Sequence, residues 1–151
     1  MPHRHIILTT IIGLLFGTAA LAHDTRAPLT ESRKQFLAGY EVVRAALAND
    51  DLEAARKAAA AISDNEHAER LAKAGTIAEA RDAFKKLSAR AVHLVVHQDG
   101  FFIAHCPMVK DGGGDWVQLT ETVSNPYFGK SMLRCGSIKA TSNSAPDEDA
   151  K

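Results

Sequence analysis

The stretch IAEARDAFKKLSARAVHLVVH, Ile77–His97, has the clearest periodicity in the chain. In it Ile77, Ala80, Phe84, Leu87, Ala91 and Leu94 recur at steps of three and four, which puts them on one face of a helix with a 3.6-residue period. Thr76 with Glu79 supplies a capping signal at its start, and Asp99-Gly100 ends it just after about His97. Working backwards, Gly75 reads as the terminator of a short helix that Ser63 and Glu66 open and that runs through Leu71. Before that, Asp50 with Glu53 opens a helix that carries Leu52, Ala55, Ala59 and Ile62 inward. The first helix is expected over Glu31 to Ala48, behind a Thr30 N-cap, with Phe36, Tyr40, Val43 and Leu47 on one face. Helices joined by such short links predict a mainly α domain built as an antiparallel three- to four-helix bundle.

The texture changes after Gly100. Phe101-Phe102-Ile103-Ala104 and Trp116-Val117-Gln118-Leu119 are β-prone runs separated by the glycine turn Gly112-Gly113-Gly114, which predicts a small C-terminal β-hairpin and loop segment packed on the bundle. Asn125-Pro126-Tyr127-Phe128-Gly129 reads as a turn, and Lys130 to Cys135 as one helical turn or an extended return. Residues 141–151 are polar and without large apolar side chains, so a disordered tail is expected there.

At the other end, Met1-Pro2-His3-Arg4-His5 is a cationic start. The apolar run Ile6 to Phe16 follows, and then small residues ending Ala20-Leu21-Ala22, the order of a secretory signal with an A-x-A cleavage site. Thr9, Thr10 and Gly13 interrupt the apolar run, which barely reaches the ~20 residues a membrane span needs. Cleavage is therefore predicted after Ala22, leaving an exported protein without a membrane anchor. The divisions that follow are a signal peptide at 1–22, a flexible lead-in at 23–29, one helical domain at 30–140 and the tail. Removing 22 of the 151 residues leaves 129, one domain's worth. The signal takes with it one of the 18 basic residues and none of the 18 acidic ones, so the mature charge is −1. A balance so near neutral, without a basic stripe, argues against nucleic-acid binding.

The densest reactive chemistry lies between His105 and Cys135. His105, Cys106 and Met108 form one cluster, Met132 and Cys135 the other, and soft thiolate and thioether sulfurs with an imidazole nearby are the donor set that favours Cu(I). Thioethers are poor zinc ligands, so the methionines tilt the choice of metal towards copper or silver. The same residue types allow a structural disulfide between Cys106 and Cys135, with Met108 and Met132 as core filling. An exported compartment promotes such a bond, and closing a loop of this length is worth roughly 3 to 4 kcal/mol in the chain-entropy picture. Both readings stay open, and they can alternate with the oxidation state of the pair.

The ordered series Cys106-Pro107-Met108, Trp116, Asn125-Pro126-Tyr127-Phe128-Gly129, Met132-Leu133 and Cys135-Gly136 resembles the domain of unknown function 3347 family. The helical part, with Asp51-Leu52-Glu53-Ala54-Ala55 and Ala83-Phe84-Lys85-Lys86-Leu87-Ser88, is similar to that family as well, so the resemblance spans about Phe36 to Ile138. Its members are exported bacterial domains, free-standing or fused to periplasmic adaptor subunits of heavy-metal efflux systems. The resemblance implies periplasmic copper handling with an efflux adaptor as partner, and it maps the Cys-Pro-Met and Met-Leu-x-Cys-Gly elements onto Cys106, Met108, Met132 and Cys135. His105 departs from the pattern, standing where an aromatic residue is expected, so a ligand there is peculiar to this chain.

Other constellations are weaker. His93 and His97 have the i, i+4 spacing of two imidazoles on one metal, but lie off the apolar face, and an ordinary surface pair is the expectation. His67 stands alone and is expected in solvent. Cleavage would make His23 the amino terminus, where amine and imidazole can chelate copper with another histidine's help. Asp111-Gly112-Gly113-Gly114-Asp115 lacks the remaining residues of a calcium or phosphate loop and reads as a turn. No Cys-x-x-Cys pair is present, and no nucleophile with a base and an orienting group, so an enzyme is not expected.

Overall fold

A computed structural model describes residues 27–141; the signal peptide, the proposed terminus at His23 and the tail beyond Thr141 lie outside them. The described chain is mainly α with a small β element. Four helices come first: α1 (Glu31–Ala48), α2 (Leu52–Ala60), α3 (Glu66–Ala72) and α4 (Ile77–Val95). Strands β1 (Phe102–Cys106) and β2 (Gly114–Gln118), a 3-10 turn at Gly129–Ser131 and strand β3 (Ser137–Thr141) follow. Among the described residues no helix is long and apolar enough to cross a membrane.

The expected apolar faces of α1 and α4 are the ones buried. Tyr40, Val43, Leu47, Phe84, Leu87 and Ala91 lose essentially all contact with solvent. Thr30 and Thr76 cap these helices by accepting the backbone N–H groups of Arg33 and Glu79. The alanines of α2 allow close approach: Ala55 and Ala59 are fully buried where α2 meets α1 and α3.

Three helix boundaries differ from expectation. Helix α2 is capped by Asp51, which accepts the Ala54 N–H, and not by Asp50. Asp50 instead takes a left-handed conformation, φ +59°, and turns its carboxylate to Arg81 Nη2 at 2.6 Å and to the Lys130 N–H at 3.0 Å. Helix α3 is capped by Asn65, which accepts from His67 and Ala68, and not by Ser63. Helix α4 stops at Val95, and His97 lies beyond it at φ +66°.

The hairpin forms as expected, with one more strand than expected. The sheet order is β2-β1-β3, antiparallel throughout. In the register Ile103 faces Val117, Ala104 faces Trp116, His105 faces Asp115 and Cys106 faces Gly114. The third strand reaches Thr141, the residue at which the tail was expected to begin. On its other side β1 pairs with β3, Phe102 facing Thr141 and His105 facing Ser137, with an irregularity between Ile103 and Ala104.

Helix and sheet are joined by aromatic rings and hydroxyls. Phe36, Tyr40, Phe84, Tyr127 and Trp116 form a continuous series with centroid separations of 6.3, 5.3, 5.6 and 6.1 Å, stacked within the helices and edge-on where the series enters the sheet. The Tyr40 hydroxyl accepts the Val117 N–H at 3.0 Å and donates to Ser88 Oγ at 2.8 Å, and Ser88 donates to the Asp115 carbonyl at 2.9 Å. The Tyr127 hydroxyl donates to the same carbonyl at 2.7 Å. Burial holds the Tyr40 and Tyr127 phenols far above their ordinary range.

Candidate functional site

Cys106 closes β1 and is fully buried, opposite Gly114. Cys135 is half-buried, two residues ahead of β3. Their sulfurs meet at 2.7 Å, across 29 residues of chain. This is far inside an ordinary non-bonded sulfur contact, and a short step from the ~2.05 Å of a disulfide. The two thiols are free, and the hydrogen bond between them, with burial adding to it, pushes the Cys135 thiol above its usual value.

The Asn-Pro-Tyr-Phe-Gly element is the frame that brings Cys135 to this place. Asn125 is fully buried and spends its whole side chain on the loop: Oδ1 accepts the N–H groups of Tyr127 and Phe128, while Nδ2 donates to the Cys135 carbonyl at 2.7 Å. Its backbone N–H donates to the Leu133 carbonyl at 2.8 Å. Gly129 sits at φ +57° beside the Asp50–Arg81 pair, where a Cβ would collide with the Asp50 carboxylate. Arg81 joins the three elements, donating to the carbonyls of Pro126 and Leu47 as well as to Asp50. Beyond Cys135, Gly136 at φ +122° passes so close to the His105 carbonyl and the Trp116 ring that any side chain would meet them at under 3 Å.

Each cysteine stands in a turn with a methionine. The Val109 N–H donates to the Cys106 carbonyl at 3.4 Å, closing a turn that contains Met108, and the Cys135 N–H donates to the Met132 carbonyl at 2.9 Å. Met108 is 61% exposed, so it is not the core filling that the disulfide reading assigned to it. Met132 is half-buried.

His105 belongs to a different place. Alternation along β1 sends it to the face opposite Cys106, where Nδ1 meets Asp115 Oδ1 at 2.6 Å. Lys139 approaches the other oxygen of Asp115 at 3.7 Å. The imidazole lines an open cavity of about 360 Å³ between α4 and the Gly112-Gly113 turn, with Lys85, Lys86 and Val92 on its helical wall. Among the described residues no three His, Cys, Asp or Glu side chains are gathered as a metal would need. The sulfur pair is thus two thiols with thioethers on the adjoining turns, without an imidazole.

His93 is exposed and His97 half-buried past the helix end, so the expected pair does not share one regular helical face. His67 is half-buried rather than solvated, its ring between Glu66 and Arg70. Asp111 to Gly113 form a turn, closed by the Gly113 N–H on the Val109 carbonyl, and Gly114 and Asp115 already belong to β2.

Three groups organise this region in roles that the motifs did not assign to them: Asn125, Asp115 and the Asp50–Arg81 pair. Asp115 was in reach, because a hairpin closed by the three glycines registers it against His105. Asp50 and Arg81 were not, since their partners lie far along the chain. Comparison of the chain with protein-family models, with curated proteins and with solved structures finds no match.

Proposed function

We propose that the mature chain is an exported, non-catalytic domain that takes up a soft metal, copper(I) first among them, through the reduced sulfurs of Cys106 and Cys135 with Met108 and Met132 as thioether partners. Its place is periplasmic heavy-metal handling, with an efflux adaptor as partner, as the resemblance to the domain of unknown function 3347 family implies. The four helices are read as an antiparallel bundle that acts as scaffold for the sulfur turns. One observation carries the proposal: two turns, each holding one cysteine and one methionine, meet through their thiols. His105 is left out of the ligand set because Nδ1 is engaged by Asp115 on the other face.

Metal entry requires the thiols to part. Two sulfurs bound at ~2.3 Å stand roughly 3.8 Å apart around a tetrahedral metal and roughly 4.6 Å apart around a linear one, against 2.7 Å here. Cys135 is the half-buried member of the pair and stands in a turn, so the movement falls to it. The closeness of the sulfurs favours a second reading, a disulfide-stapled interaction module that carries no metal.

Titration of the reduced mature protein with Cu(I), with silver and zinc for comparison, separates the two. Metal binding predicts one tight soft-metal equivalent, weak zinc, and a loss of affinity in Met108→Leu plus Met132→Leu of at least the ~10-fold that even an outer-shell change costs. An unchanged affinity removes the methionines from the site. Thiol counting on protein taken from the periplasm completes the test: an obligate disulfide indifferent to copper leaves the stapled module.

A further inference from the structure

The two sulfurs that meet at 2.7 Å are unequal towards solvent: Cys106 has no exposure, and Cys135 is half-buried. Cys106 is packed at the end of the central strand, between β2 and β3, in the same core cluster as Trp116 and Tyr127. The backbone on both sides of Cys135 is held, by Asn125 on its carbonyl and by the close passage of Gly136 under β1. Thiol–disulfide exchange proceeds by attack of a thiolate on one sulfur of a disulfide, so an external reagent needs access to a single sulfur, and which one it reaches decides the course.

We propose that Cys106 and Cys135 form a reversible exchange site at which Cys135 is the sulfur of entry and Cys106 the buried leaving and resolving sulfur, with a small thiol or disulfide of the compartment outside the cytoplasm as co-reactant. In the reducing direction an external thiolate attacks Cys135 Sγ. The Cys135–Cys106 bond breaks, its electron pair goes to the Cys106 sulfur, and that sulfur takes a proton. A second external thiolate then attacks the external sulfur of the mixed disulfide, freeing the Cys135 thiol and leaving an external disulfide. The net change is one protein disulfide and two external thiols to one protein dithiol and one external disulfide. Oxidation runs the same steps backwards: Cys135 thiolate attacks the external disulfide and expels one thiolate, and Cys106 displaces the other.

The inference rests on the sulfur geometry and stands or falls apart from metal binding, so the test is made in the presence of a chelator. The reduced protein is pulsed with iodoacetamide and the labelled peptides are quantified. Cys135 is expected to be alkylated at least ~10-fold faster than Cys106 in the native state, and the two at similar rates in concentrated guanidinium. With glutathione disulfide, wild type passes to the internal disulfide, Cys106→Ala accumulates one glutathione on Cys135, and Cys135→Ala stays unmodified. Because Cys106 is buried, its replacement puts folding at risk, and the wild-type labelling ratio then decides alone. Equal native labelling, glutathione on Cys106 in Cys135→Ala, or no internal disulfide in wild type overturns the proposal.

Discussion

From Glu31 to Val95 the buried apolar side chains are alanine, leucine, valine, Ile62 and three aromatic rings, Phe36, Tyr40 and Phe84, and the caps are local, each bonding within three residues. From Phe101 onwards buried polar groups do the holding. Gln118 accepts from Trp116 and Ser124 and donates to two carbonyls, Asn125 frames the Cys135 turn, and Arg44 reaches out of α1 to the Ser124 carbonyl while Glu41 grips it from behind. Apolar burial tolerates substitution so long as volume and pattern are kept, whereas a buried amide with every position used tolerates almost none. The part of the molecule that holds the cysteines is therefore the part with the least freedom to change.

The largest blow to that contrast falls where the two regions meet. Phe84 touches Tyr40 on one side and Tyr127 on the other, so Phe84→Ala should lower unfolding free energy by about 4 kcal/mol in urea denaturation and loosen both regions together. Asn125→Ala strands a buried carbonyl and two N–H groups and should cost about 3 kcal/mol. Its diagnostic effect is slower formation of the Cys106–Cys135 bond under oxidation with helical circular dichroism retained at low temperature. A variant that loses helix content in step with the cysteine contact would mean that the two regions are not held differently after all.

Alkaline pH tests the hydroxyls that join the regions. The folded phenols of Tyr40 and Tyr127 titrate above the ordinary value of 10.0, so the unfolded chain loses its protons first. Stability from the two neutral hydroxyls is complete below that pH and declines above it, by about 1.4 kcal/mol per pH unit for each phenol. Tyr40→Phe should halve the slope in stability measured between pH 10 and pH 11, as the pH axis of ordinary tyrosine ionisation dictates; an unchanged slope would contradict the burial of this hydroxyl. The smallest effect belongs to a local cap: Thr76→Ala should cost about 1 kcal/mol, with no change in the rate at which the cysteines pair.

The same contrast explains what could be read from the chain. Helices α1 and α4 are legible because Phe36 to Leu47 and Ile77 to Leu94 keep their period over many turns and carry threonine caps. The starts of α2 and α3 slip by one or two residues because Asp50 is drawn to Arg81 and Lys130, partners 31 and 80 residues away, and Asn65 competes with Ser63 for the α3 cap. Strand β3 has one large apolar residue, Ile138, and owes its strand form to β1 rather than to its own pattern. The meeting of Cys106 with Cys135 is likewise a product of Asn125 and Gly136. That His105 and Cys106 cannot serve one site was available from the sequence, since adjacent strand residues point to opposite faces.

One closed set of hydrogen bonds has a consequence for assembly. An edge strand with free outward N–H and C=O groups invites another strand to join it. On β2 the Val117 N–H and the Asp115 carbonyl are already taken by the hydroxyls of Tyr40, Ser88 and Tyr127. Those two positions of the β2 edge are therefore closed to a further strand, which disfavours sheet growth on the side that faces α4.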